Sequence, residues 1–154
     1  MNITKYNTML EGTKLTLVKE KTTRYPAQSL NNPDAIIDCM NEVFNLNKMS
    51  EEYIYLLCFN TKLSLQGVFE VSHGTVNMSI TDPSIIFKKA LLCNAASIAI
   101  IHNHPSGDCT PSQQDIEITD RIQKAGELLN IQLIDHLIVG NPGYFSLKET
   151  GYIK

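Results

Sequence analysis

The chain has no stretch long and apolar enough to span a bilayer, and its N-terminus lacks the charged-then-apolar pattern of a signal peptide. Basic charge is also in short supply. The formal net charge is -3, which argues against a protein whose main task is to hold a nucleic-acid backbone, although a local patch stays open. Four cysteines are present, Cys39, Cys58, Cys93 and Cys109, but none forms a C-x-x-C pair. That absence sets aside the usual metal site of nucleobase deaminases and implies a reduced, cytoplasmic setting. Cys39, Cys58 and Cys93 lie in apolar stretches and read as small core residues. What the chain does have, 154 residues of which 43% are hydrophobic, is enough to bury the core of one soluble domain.

The stretch around which the rest is organised starts with the apolar run Ala95 to Ile101, a buried strand, which ends in His102-Asn103-His104. Two residues two apart on a strand leave it on the same face, so both imidazoles point at one place. A turn of small and polar residues follows, Pro105 to Cys109, and then a helix start. Thr110 suits the N-cap, Pro111 the first helical position, and Gln113 the capping-box spacing. Asp115 then lies in the first turn, facing back toward the strand end, with Ser112 on the same face. Two His and one Asp form a ligand set for a catalytic zinc that keeps a position for water. The plainer alternative is a pair of ordinary histidines, with Ser112 and Asp115 merely complementing the helix dipole. Cys109, in the loop between His104 and Asp115, is a further residue able to approach an ion.

The run His102-x-His104-Pro105 followed by Pro111-Ser112-x-x-Asp115 resembles the H-x-H-P…S-x-x-D motif of the JAMM (MPN, JAB1) zinc metalloproteases. The fuller string from His102 to Asp115, with Asp135-His136 downstream, is similar to the bacterial RadC branch of that superfamily, and the likeness runs from about Asp34 to the C-terminus. It implies an α/β fold of the JAMM/MPN type, a cytidine-deaminase-like mixed sheet flanked by helices. It further implies Zn²⁺ held by His102, His104 and Asp115, with Ser112 stabilising an oxyanion and a glutamate accepting a proton from water. Glu52, just before the strand-like run Tyr53 to Phe59, best matches that glutamate. Its neighbour Glu51 and then Glu70 are the alternatives. Relatives often carry Pro-Arg-Glu where this chain has Pro83-Ser84-Ile85, which puts a shared surface contact in doubt but not the metal.

Residues 1–32 read as an N-terminal extension with one short strand, Lys14 to Val18, and residues 33–154 as the JAMM/MPN domain. From Pro33 a helix capped by Asn32 places Ala35, Ile36, Ile37, Met40, Val43 and Phe44 at helical spacing. Gly67 to Val71 and Thr75 to Ile80 complete an antiparallel meander beside the His102 strand. Asp82 and Pro83 start a second helix with Ile85, Ile86, Phe87, Ala90, Leu91 and Leu92 on one face. The Asp115 helix presents Ile116, Ile118, Ile122, Ala125, Leu128 and Leu129 to the core, and strands at Ile131 to Val139 and Tyr144 to Leu147 end the chain. His136 reads as a core histidine satisfied by backbone. The other reading is a buttress for a zinc ligand, oriented by Asp135. His73 carries no assigned role.

The function expected from the resemblance is zinc-dependent hydrolysis of a peptide or isopeptide bond in a protein or peptide substrate. The alternative is a non-enzymatic binding module associated with DNA repair or mobile elements, its metal site structural or vestigial. The negative charge gives DNA no support as a partner, the longer relatives' helix-hairpin-helix region exceeds what this chain holds, and no membrane partner is expected.

Overall fold

A computed structural model describes residues 1–74 and 82–154. Among these residues seven strands form one mixed sheet and three α-helices pack on it. The strands are β1 (Asn2–Glu11), β2 (Lys14–Arg24), β3 (Glu52–Phe59), β4 (Leu65–Gly74), β5 (Ser97–Asn103), β6 (Gln132–Val139) and β7 (Tyr144–Ser146). The helices are α1 (Pro33–Phe44), α2 (Pro83–Leu92) and α3 (Gln113–Leu129). The sheet order is β2-β1-β4-β3-β5-β6-β7, with β1/β4 and β5/β6 parallel and the other neighbours antiparallel. The α/β architecture is that of a JAB/MPN domain.

The two central strands, β3 and β5, are covered on both faces, so their sequences are nearly continuous apolar runs rather than alternating ones. Tyr55, Leu57, Phe59, Ala99 and Ile101 point to the side of α1 and meet its Ile36, Ile37 and Met40. Their neighbours Ile54, Leu56, Cys58, Ile98 and Ile100 point the other way, to Ile86 and Phe87 of α2 and Ile118 and Ile122 of α3. This parity places the functional residues. Ile54 pairs with His102 across the β3/β5 ladder, so Glu52, two residues before Ile54, leaves the sheet on the α3 side with His102. Glu51 lies just before β3, in a bend.

Helix caps follow the sequence at two of three starts. Asn32 Oδ1 accepts the Ala35 N–H at 2.8 Å and Asp82 Oδ1 accepts the Ser84 N–H at 2.8 Å, each followed by Pro at the first helical position. The third start differs. Helix α3 begins two residues later than Thr110-Pro111 suggests, with Ser112 as N-cap and a reciprocal capping box to Asp115. Thr110 is drawn off by Asp108, whose Oδ1 accepts both its N–H (2.9 Å) and its hydroxyl (2.7 Å).

Two further expectations are corrected. Residues 2–24 form two long strands, β1 and β2, where the sequence suggests one short strand. Both are mostly polar and half-exposed, so hydrophobic alternation marks only part of β2. On α3, Leu128 is 89% exposed and Leu129 also faces solvent. The buried stripe is instead Asp115, Ile118, Thr119, Ile122 and Gly126. Two polar side chains and a glycine occupy positions a hydrophobic count passes over. On α2, Ile85 and Leu91 are likewise exposed. The strand expected over Thr75 to Ile80 lies outside the described residues.

Candidate metal centre

His102 is the penultimate residue of β5 and is fully buried; His104 follows the strand end at the mouth of a cleft. Their Nε2 atoms stand 3.0 Å apart. Asp115, in the first turn of α3, approaches both rings, Oδ1 lying 3.4 Å from His102 Nε2 and Oδ2 3.6 Å from His104 Nε2. The loop between the strand and α3 is pinned to the C-terminal end of β6 and the turn after it. The His104 N–H donates to Val139 O, the Gly107 N–H to His104 O, and the Asn141 N–H to Gly107 O, each at 2.9 Å. Gly107 takes a left-handed φ of +86°, and a Cβ on Gly140 would collide with the Gly107 carbonyl oxygen, so this contact requires glycine on both sides.

The hydrogen-bond polarity around the two imidazoles can be worked out from donors that have only one option. His104 Nδ1 lies 2.8 Å from Asp108 O, which can only accept, so the neutral ring carries its proton on Nδ1 and presents a lone pair at Nε2. The Thr119 hydroxyl donates to Asp115 O at 2.6 Å. Its second contact, 2.6 Å to His136 Nδ1, is then satisfied only if that nitrogen is the donor. His136 Nε2 is consequently an acceptor, and at 2.9 Å it takes the proton of His102 Nδ1. His102 Nε2 is left bare as well. Two ring lone pairs therefore face each other beside a carboxylate whose Oδ1 is buried without a hydrogen-bond partner. Such a set is repulsive unless a cation sits among its members. Ligand atoms bound tetrahedrally at roughly 2.0–2.2 Å stand roughly 3.3–3.6 Å apart, close to the spacings here. The donor set fits a metal ion.

The titration behaviour of the same groups has the same origin. Burial pushes His102 well below the ordinary imidazole value and His136 down to about 4. His104 moves the other way, raised by the adjacent Asp115 carboxylate against its partial burial. Burial opposes ionisation of Asp115, yet His104, His102 and the Ser112 donors hold its carboxyl well below the usual range. Without an ion, the cluster draws a proton to His104; with one, the ion takes that place.

Glu52 is half-buried at the start of β3 and lines a cleft of about 450 Å³ together with His104, Ser106, Ser112, Gln114 and Asp115. Burial raises its pKa, with His104 lowering it and Asp115 raising it further. Glu51, one residue before β3, is exposed and also lines this cleft, and its backbone carbonyl accepts the Asn103 amide. Glu70, on β4, is engaged elsewhere, by Lys5 at 2.9 Å and by His73 at 2.6 Å. His73 also stacks on Tyr53, their ring centroids 5.0 Å apart. Ser112 donates its N–H (2.7 Å) and its hydroxyl (2.6 Å) to Asp115 Oδ2, which leaves Oδ1 as the oxygen free for an ion. Among the described residues, the cluster able to share an ion is His102, His104 and Asp115. Cys109 stands outside it, packed against Gly140 and the α3-side core.

Three residues beyond the sequence-derived set matter. Asn103, between the two histidines, points to the opposite face, where its Oδ1 accepts the Tyr53 N–H at 2.8 Å and its Nδ2 donates to Glu51 O at 2.9 Å. It thereby clamps the backbone on both sides of Glu52. The alternation that aims His102 and His104 into the site carries the signal for this. His136, read chiefly as backbone-satisfied, bonds instead to His102 and Thr119. Asp135 does not orient the His136 ring; its carboxylate accepts the Ser146 hydroxyl and the N–H groups of His136 and Lys148, tying β6 to the C-terminal turn. Thr119 is the third residue, one helical turn after Asp115.

An α/β domain in which a central strand and the residue after it bring two imidazoles to a helix-borne carboxylate, beside Glu52, has the fold of the JAB class and a candidate metal site. A family model described as "RadC-like JAB domain" matches residues 30–152, and the chain belongs to that family. It is 47% identical over 108 residues to a UPF0758 protein of Clostridium beijerinckii, covering 70% of this chain and 47% of that protein. To a UPF0758 protein of Thermotoga maritima it is 42% identical over 103 residues, 67% of this chain and 46% of the other. To one of Caldanaerobacter subterraneus the figure is 39% over 124 residues, 80% and 52%. The chain thus spans about half the length of these relatives. No helix among the described residues is long and apolar enough to cross a membrane.

Proposed function

We propose that the domain is a zinc-dependent metallopeptidase-like hydrolase that cleaves a peptide or isopeptide bond. The observation carrying this reading is the convergence of two bare Nε2 atoms and an unpartnered carboxylate oxygen beside the half-buried Glu52, in an open cleft. His102, His104 and Asp115 would hold the ion. Bound zinc supplies a Lewis acid that polarises a carbonyl and lowers the pKa of a coordinated water. Glu52 accepts the proton of the attacking water and returns it to the leaving amine, a role its raised pKa favours. Ser112 serves the developing oxyanion by turning its hydroxyl away from Asp115 Oδ2, which keeps the Ser112 N–H. The set of three protein ligands among the described residues supports catalysis over a closed structural site.

The test is to load the protein with one equivalent of zinc and incubate it with a mixed library of peptides and isopeptide-linked peptides, reading products by mass spectrometry. Cleavage that is lost with a chelator and restored by zinc is expected. A fully zinc-loaded protein that cleaves nothing in the library would favour the binding-module reading.

A further inference from the structure

The Thr119 hydroxyl bonds to none of the three ligand atoms, yet it closes a ring of polar contacts around the site. The ring runs from the Asp115 backbone carbonyl to the Thr119 hydroxyl, to His136, to His102 and back across the ligand cluster to the Asp115 carboxylate. Thr119 and His136 are each 1% exposed and His102 is fully buried, so bulk solvent does not reach the ring to offer an alternative donor or acceptor. Each link has a direction. A hydroxyl has one proton, and the Asp115 carbonyl can only receive it; every later donor and acceptor follows from that assignment.

The geometry points to Thr119 as the positioning residue that sets the tautomer of His102 through His136 and so decides whether a metal-facing lone pair exists. This rests on the metal reading given above. Without the Thr119 oxygen, a neutral His136 has no acceptor for an Nδ1 proton and shifts it to Nε2. That nitrogen then donates to His102 Nδ1, and the His102 proton moves to Nε2, into the position an ion would take. The whole effect is transmitted by donor–acceptor order, with no residue displaced. The helical offset explains the pairing: Thr119 is four residues after Asp115, so the same face of α3 brings one ligand and the anchor of another.

Thr119→Val is close to isosteric and sits among Ile118, Ile122 and the α3-side core, so it keeps the packing while removing the acceptor. Zn²⁺ affinity would be measured by competition with a chromophoric chelator. In parallel, the histidine tautomers of the zinc-free protein would be read from long-range ¹H–¹⁵N NMR correlations. Wild type is expected to show His102 protonated at Nδ1. Thr119→Val is expected to show it protonated at Nε2 and to bind zinc about 10- to 100-fold more weakly, the range typical for losing a partner of a ligating imidazole. Thr119→Ser should restore both, which a mere packing role for the side chain would not predict. Thr119→Val with wild-type affinity and an unchanged His102 tautomer would overturn the inference. A wild-type protein that binds no zinc would overturn the metal reading instead, while the tautomers of the zinc-free proteins would still decide the direction of the ring.

Discussion

Glu52→Gln is expected to lower turnover of a cleaved peptide by roughly 10²- to 10⁴-fold, the usual worth of a positioned general base, while leaving zinc bound at full stoichiometry. The amide keeps the shape of the side chain and its place in the cleft but cannot accept the proton of the attacking water. Glu52 is not among the residues able to share the ion, so metal content separates it from the ligands. Glu51→Gln, one residue earlier in the chain and more exposed, is the matched control. That side chain is exposed where it borders the cleft, whereas Glu52 is half-buried in it, so replacing Glu51 should change turnover little. Steady-state rates and metal analysis on the two variants check the pair. Full activity in Glu52→Gln, or equal losses in both, would remove Glu52 from the mechanism.

Acid is expected to destabilise the metal-free protein well before ordinary carboxylates titrate. His136 is held neutral by burial, with its pKa lowered from 6.5 to about 4, and His102 is depressed in the same direction. Between those values the unfolded chain binds a proton that the folded one excludes, so the stability these two rings contribute is full above about pH 6.5 and falls as pH drops toward 4, while His104, raised by Asp115, contributes in the opposite sense, fully below its ordinary value and less as pH rises above it. For His136 alone, that window corresponds to a loss on the order of 3 kcal/mol at its lower end, and His102 adds to it. Glu52 and Asp135 act in the opposite sense. Their pKa values are raised in the fold, so they take up protons before the unfolded chain does and offset part of the loss near the acid end. The net slope is therefore steepest between pH 6.5 and 5. Urea midpoints of zinc-free protein at pH 7 and pH 5 measure it, and His136→Gln should flatten the difference. A midpoint unchanged between those pH values would show that the two rings are not held neutral.

Much of the site is legible in the sequence because its geometry is local. His102 and His104 share a face by strand period, and Asp115 returns to them because a short loop leads directly into a helix. Even with the helix start misplaced by two residues, Asp115 remains in the first turn, since a capping residue merely exchanges Thr110 for Ser112. Contacts made across the sheet are harder to read. His136 reaches His102 only because β6 lies parallel to β5, with an irregularity between Ile98 and Ala99 setting which residues face each other. Thr119 looks like an ordinary helix residue until its neighbour across the core is known. The N-terminal strands escape notice for another reason. They hydrogen-bond to each other over most of their length but bury little apolar surface, leaving hydrophobic period a weak guide.

X-ray absorption at the zinc edge of protein loaded with one equivalent of zinc addresses the shared ion itself. Two imidazole nitrogens and oxygen ligands, with no sulfur neighbour, and the loss of one imidazole in His104→Ala, are the predicted result. A sulfur ligand from Cys109, or a spectrum unchanged by His104→Ala, would contradict a centre built from His102, His104 and Asp115.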